Sequence, residues 1–217
     1  MRKKLRKILP PAIYALLEKM YRAKLIMQSK SKINRLLKSK EDIFLEIGAG
    51  EKKGSNGWVT LDYGHKCDLV WDLRKGIPFP DNSIEKIYSS HLFEHLPYPA
   101  IESLLTECKR VLKSNGVFSI CVPNARLFIE AYTNKDETFA AKNQPVYDLG
   151  FNNTGSLIDW VNYIAYMGIE HKYMFDENNM INILTKMGLR NARIREFDSS
   201  IDLQARLRDS LYAEAIK

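Results

Sequence analysis

Glu46, Gly48, Gly50, Asp62 and Asp72 are the residues of this 217-residue chain whose types and spacing most directly suggest shared chemistry. Glu46-Ile47-Gly48-Ala49-Gly50 follows a short apolar run, and Asp62 and Asp72 each close a later one. A Gly-x-Gly turn answered by acids at the ends of successive apolar runs describes a nucleotide pocket at the carboxyl edge of neighbouring parallel strands. The glycines allow a turn with positive φ, or an approach that a Cβ would block. A dinucleotide fingerprint would put a third glycine where Lys53 stands and open a helix there, whereas Gly54-Ser55-Asn56-Gly57 is poor helix material. Once a strand over 58–61 is subtracted, the span from Gly50 to Asp62 has no room for a crossover helix. A pyrophosphate ligand is therefore disfavoured. Glu46 points the same way, because a carboxylate facing the ligand repels phosphate and suits a cationic amine or sulfonium. The expected ligand is an adenosyl compound.

A second constellation is His91, Glu94, His95 and His171. His91 falls just past a fourth apolar run and is the best-placed candidate base, since only histidine has an unperturbed pKa near neutrality. His91 and His95 stand at i and i+4 with Glu94 beside them, a His-x-x-Glu-His spacing also known from zinc peptidases. The competing reading is structural: Glu94 and His95 orient their loop by hydrogen bonds, and His171 either lines an acceptor pocket or bonds that loop. No metal is assigned to these residues from the sequence.

These side chains need a scaffold, and short strands alternating with helical segments from residue 43 onward describe a doubly wound α/β sheet. Strands are expected over 43–47, 58–61, 69–71, 84–89 and 117–122, followed by 190–197 and 210–216. Helices are expected over 100–112, where Ile101, Leu104, Leu105, Cys108, Val111 and Leu112 keep a 3.6 period and Ser114-Asn115-Gly116 ends the run, and over 126–132, 156–166 and 176–187. Residues 133–155 read as a polar, irregular insertion that shapes the acceptor site.

The series Leu45 to Gly50, Gly57 to Asp62, Trp71-Asp72-Leu73, Ile77 to Ile84 and Ser89 to Leu96 resembles class I S-adenosylmethionine-dependent methyltransferases. It is most similar to their type 11 group, in a bacterial branch with a shortened glycine loop associated with surface-polysaccharide pathways. Glu107 to Gly116, His171 and Asp176 to Leu189 extend the resemblance, which covers roughly residues 41–217. It implies a Rossmann-like, mostly parallel sheet with a final antiparallel strand. It also implies a cofactor site of Glu46, Gly48, Ala49, Gly50, Asp62, Tyr63, Asp72, Leu73 and Ser90, with Asp62 on the ribose hydroxyls and Asp72 facing the adenine amine beside Leu73. His91, from its place after the fourth strand, is the candidate catalytic base beside this site. Some class I methyltransferases hold a divalent metal on Glu-x-x-Glu-His and a distant His; here His91 replaces the first Glu, and Glu-His-Leu is common in the type 11 group without metal. Tyr88-Ser89-Ser90-His91 stands where an Asn-Pro-Pro-Tyr-like motif would indicate nucleobase amines as acceptors. The leading acceptor is a sugar or lipid-linked glycan hydroxyl; the alternatives are RNA, or a silent methyltransferase-like binding subunit.

Of the 33 Lys/Arg, 13 lie in residues 1–40 beside the single acid Glu18, so that segment carries +12 and the remainder −5. This separates a basic N-terminal segment, 1–40, from a catalytic domain, 41–217, and makes nucleic acid an unlikely partner for the catalytic face. After a cationic arm at 1–7, Pro10-Pro11 precedes Ile13, Leu16, Leu17 and Met20 at helical spacing, which describes a basic amphipathic helix. It reads equally as a cover for an edge of the domain or as a dock, through residues 1–30, for anionic lipid at the inner membrane face. The apolar run is too short for a transmembrane span and has no signal-peptide cleavage site. Cys67, Cys108 and Cys121 are odd in number and lack Cys-x-x-Cys spacing, which fits a reducing cytoplasm better than a disulfide framework.

Overall fold

The computed structural model describes residues 9–39, 41–143, 149 and 153–217; the cationic arm and part of the 133–155 insertion lie outside the described residues. Seven strands form one sheet: β1 (Phe44–Ile47), β2 (Trp58–Asp62), β3 (Leu69–Val70), β4 (Ile84–Ser90), β5 (Leu112–Pro123), β6 (Arg190–Ile194) and β7 (Ser210–Ile216). Their order is β3-β2-β1-β4-β5-β7-β6. The first five pair in parallel, and β7 runs antiparallel between β5 and β6. This is the mostly parallel, doubly wound sheet with an antiparallel closing strand that the sequence leads one to expect. Buried parallel strands are apolar on both faces, and Leu45, Ile47, Leu61, Ile87, Phe118 and Ile120 are all buried in one core.

Six helices are described: α1 (Pro11–Ser39), α2 (Tyr98–Val111), α3 (Ala125–Thr133), α4 (Glu137–Asn143), α5 (Ile158–Tyr166) and α6 (Glu177–Lys186). The apolar stripe of α2 buries Ile101, Leu104, Leu105, Cys108 and Val111, as its period requires. Ser114-Asn115-Gly116 does not end that helix. The chain passes straight from α2 into β5, where Leu112 pairs with Ile84 before an irregularity carries it to Val117 opposite Lys86. The insertion is also less irregular than expected: Asp136 accepts hydrogen bonds from the Thr138 and Phe139 N–H groups, starting α4. Phe139 then packs edge-on against Phe128 and Trp160. β6 stops at Ile194 rather than reaching Phe197. Arg195 turns instead to a bidentate pair with buried Asp202 (2.6 and 2.8 Å), which also accepts the Tyr88 hydroxyl at 2.8 Å.

Helix α1 covers the β3 edge of the sheet. The Ser29 hydroxyl accepts the Val70 N–H at 2.8 Å, satisfying a donor on the edge strand, and Ile33 is buried in the main core. Lys32 pairs with Asp68 at 3.0 Å, and the Arg22 guanidinium lies 3.6 Å from the centre of the Tyr63 ring. On the opposite side of the same helix Ile13, Leu16, Leu17, Met20 and Met27 are exposed. At about 100° per residue those five fall within a sector roughly 100° wide. No helix among the described residues is long and apolar enough to cross a membrane. Cys67, Cys108 and Cys121 are free and buried.

Candidate active site

The parallel register sets Ile47 beside Leu61 and Ser89, and Asp62 beside Val70, so the carboxyl ends of β1 to β4 open onto one mouth. Gly48, Asp62, Asp72 and His91 each follow one of those four ends. Gly48 has φ +73°, and a Cβ there would stand 2.6 Å from the Leu92 side chain, so the turn after β1 and the loop after β4 touch only because residue 48 is glycine. Asp62 braces this turn, accepting the Gly50 N–H at 3.0 Å and the Gly64 N–H at 2.7 Å. Each carboxylate oxygen keeps a further lone pair for a ligand hydroxyl.

Glu46 is buried, and Lys52 pairs with it at 2.9 Å. Asp72 caps the short turn Leu73–Lys75 and takes a bidentate contact from Arg74, at 2.8 and 2.9 Å. That contact holds its carboxyl below the ordinary range. Arg74 is largely exposed, so it can yield Asp72 to a ligand. Leu73 and Leu92 line a cleft of about 500 Å³ between the turn after β3 and helix α2. Tyr63 is exposed beside Arg22. Ala49 sits between the two glycines, and Ser90 ends β4. A cavity of about 850 Å³, lined by none of these mouth residues, lies among Tyr132 of α3, Lys135 and Leu149 of the insertion and Trp160 of α5.

Asp68 is the residue that sequence reasoning missed. The segment between β1 and β2 has no helix, and Asp68 holds it instead. Its Oδ2 accepts the Gly54 N–H (2.8 Å) and the Thr60 N–H (3.2 Å), while its Oδ1 faces Lys32. A Cβ on Gly54 would meet the Trp58 carbonyl at 2.0 Å, which fixes the tight path of this loop. Burial pushes the Asp68 carboxyl up, but the hydrogen bonds from Lys32, Thr60 and Gly54 outweigh it and hold the pKa at about 2. A lone Asp just before the two-residue strand β3 carries no pattern that would single it out.

His91 has φ +50°, a left-handed conformation uncommon outside glycine and one that concentrates at functional sites. Its Nε2 lies 2.9 Å from the Ser210 hydroxyl at the start of β7, a partner brought from 119 residues away. Its Nδ1 lies 3.2 Å from Glu94 Oε1 without forming a hydrogen bond to it. The carboxylate of Glu94 makes no hydrogen bond, which corrects the expectation that it orients its loop in that way. The main chain does so instead: the Glu94 carbonyl accepts the Lys172 and Tyr173 N–H groups. His171 is buried, donates from Nδ1 to the Ile164 carbonyl at 2.8 Å, and meets His95 edge-on. Burial lowers its pKa, favouring the neutral ring.

A methyltransferase domain family matches residues 46–120, which span β1 to β5. No curated protein matches the sequence. Among solved structures the chain is similar to a SAM-dependent methyltransferase from Archaeoglobus fulgidus (17% identity, TM-score 0.48, covering 94% of this chain and 99% of that one). It is similar as well to one from Aquifex aeolicus (17%, TM-score 0.45, covering 100% and 98%). A third is phosphoethanolamine N-methyltransferase 2 of Haemonchus contortus in complex with S-adenosyl-L-methionine (11%, TM-score 0.46, covering 88% and 52%).

The donor set fits that cofactor. Asp62 offers acceptors for a diol and Gly48 leaves no Cβ in the turn, while the Glu46 carboxylate is already paired with Lys52. The helixless loop after Gly50 provides no N-terminus for a pyrophosphate. Residues 46–120 thus match a methyltransferase domain, and the mouth at their strand ends is built to take S-adenosylmethionine.

Proposed function

We propose that this chain is an S-adenosylmethionine-dependent methyltransferase that methylates a hydroxyl of a sugar or lipid-linked glycan at the cytoplasmic face of a membrane, with His91 receiving the proton. The observation that carries this reading is the seat of His91, whose Nε2 faces the Ser210 hydroxyl at 2.9 Å and whose Nδ1 faces the Glu94 carboxylate at 3.2 Å. An imidazole that already engages an aliphatic hydroxyl, with a carboxylate behind it, suits removal of a proton from an alcohol. The bound cofactor supplies an electrophilic methyl group. The chain's own task is to hold the acceptor oxygen in line and take its proton.

The exposed side chains Ile13, Leu16, Leu17 and Met20 on α1, with Lys19 and Lys24 among them, support contact with anionic lipid. The glycan class follows the resemblance to the surface-polysaccharide branch. RNA is disfavoured because the chain outside residues 1–40 carries −5. The test is transfer of tritiated methyl from the labelled cofactor to extracted glycolipid and RNA pools. Label is expected in glycolipid and should fall about 100-fold or more in His91→Ala. Label in RNA, or cofactor binding with no transfer, would overturn the reading.

A further inference from the structure

Glu94 is 1% exposed, and no hydrogen bond reaches either carboxylate oxygen. Such a buried carboxylate costs on the order of several kcal/mol unless a cation compensates it. His91 Nδ1 faces only its Oε1, at 3.2 Å and without a hydrogen bond, and the rings of His95 and His171 stand close by. His95 Nδ1 lies 3.2 Å from the Glu170 carbonyl oxygen, and His171 Nδ1 lies 2.8 Å from that of Ile164. A carbonyl only accepts, so both Nδ1 atoms carry a proton and Nε2 is the atom each ring can offer as a ligand. His95 Nε2 is 3.9 Å from Glu94 Oε1, and one ligand atom from each of Glu94, His95 and His171 lies within 4.8 Å of the other two. Lone pairs converging on a carboxylate repel one another unless a cation stands among them.

We infer that Glu94, His95 and His171 form a binding site for a divalent transition-metal ion of the zinc class. Two imidazoles and one carboxylate suit zinc, whereas magnesium and calcium prefer all-oxygen shells. The two backbone carbonyls are the outer partners that fix the tautomer and aim of a ligating histidine. Ligands of a four-coordinate zinc at about 2.0 Å stand about 3.3 Å apart, so the cluster closes by roughly an ångström or more on binding. His95, the partly exposed member, is the ring with room to move. It also leaves the site open on one side. Leu92, two residues before Glu94, packs on Gly48, so the ion sits beside the cofactor turn, where its open position suits an acceptor oxygen. The site does not depend on which acceptor is methylated.

The experiment uses the full chain, stripped with chelator and titrated with Co²⁺ by visible absorption, then with Zn²⁺ by calorimetry. One ion per chain is expected, with intense ligand-field bands that zinc displaces. Glu94→Gln and the more exposed His95→Gln should each weaken binding about 100-fold or more, with retained S-adenosylhomocysteine binding showing that the variants are folded. Absence of cobalt bands in the parent overturns the site, as does unchanged binding in either folded variant. Failure of methyl transfer to every hydroxyl acceptor would instead overturn the acceptor reading and leave the cobalt bands in place.

Discussion

Replacing Asp68 tests whether a single carboxylate does the work of the missing crossover helix. Its oxygens receive the Gly54 and Thr60 N–H groups and face Lys32 of α1, so it ties the glycine loop, β2 and the N-terminal helix together. A carboxyl held at about 2 instead of the ordinary 3.8 contributes about 2 kcal/mol to stability at neutral pH. Because the folded-state pKa is depressed, that contribution is complete above the unfolded value and is lost as pH falls through about 4 toward 2. Asp68→Asn should therefore unfold in urea about 2 kcal/mol more easily than the parent at about pH 7. The gap should narrow at about pH 3, where Asp68 of the unfolded chain has taken up a proton while the folded carboxylate is still ionised. Tryptophan fluorescence follows the transition, and Lys32→Met in both backgrounds isolates the ion pair, whose effect should be smaller in the Asn background. A deficit below about 0.5 kcal/mol, or one that does not change with pH, would refute the reasoning.

Asp62→Ala should weaken S-adenosylhomocysteine binding by about 1.5 to 3 kcal/mol in calorimetry, and the parent should not bind NAD. Gly48→Val should fail outright, and adding Leu92→Ala should not restore it fully, because φ +73° remains strained for a side chain even after the clash is gone. Asp202→Ala leaves Arg195 buried and unpaired and should cost about 3 to 5 kcal/mol in thermal or urea unfolding. Leu16→Asp with Met20→Asp should abolish salt-sensitive binding to anionic vesicles without changing cofactor affinity, since both side chains point away from the domain. Removing residues 1–20 tests the same point, whereas removing 1–30 also takes Ser29 from Val70 and should destabilise the β3 edge.

The sequence by itself determined the sheet, the glycine turn and the acids at the strand ends, because these are local matters. Apolar runs, the period of α2 and the Gly48 and Gly50 positions are written in adjacent residues, and the short span to Asp62 already ruled out a crossover helix. The helical spacing of Ile13, Leu16, Leu17 and Met20 also marked an apolar stripe on α1, but only the fold showed that Ser29 and Ile33 face the domain while Leu16 and Met20 face outward. Asp68, Ser210 and His171 were decided by tertiary structure. Asp68 becomes a tether only when β3 lies beside β2. Ser210 reaches His91 only because β7 inserts antiparallel next to β5, and His171 meets Glu94 and His95 only when the segment after α5 folds back onto the β4 loop. The same holds for Glu94. Its type and spacing suggested a hydrogen-bonded loop residue, but its buried oxygens lack hydrogen bonds because the neighbouring segment binds its carbonyl instead. Contacts across long loops depend on where the chain returns, and pattern in a sequence reports only what neighbouring residues share.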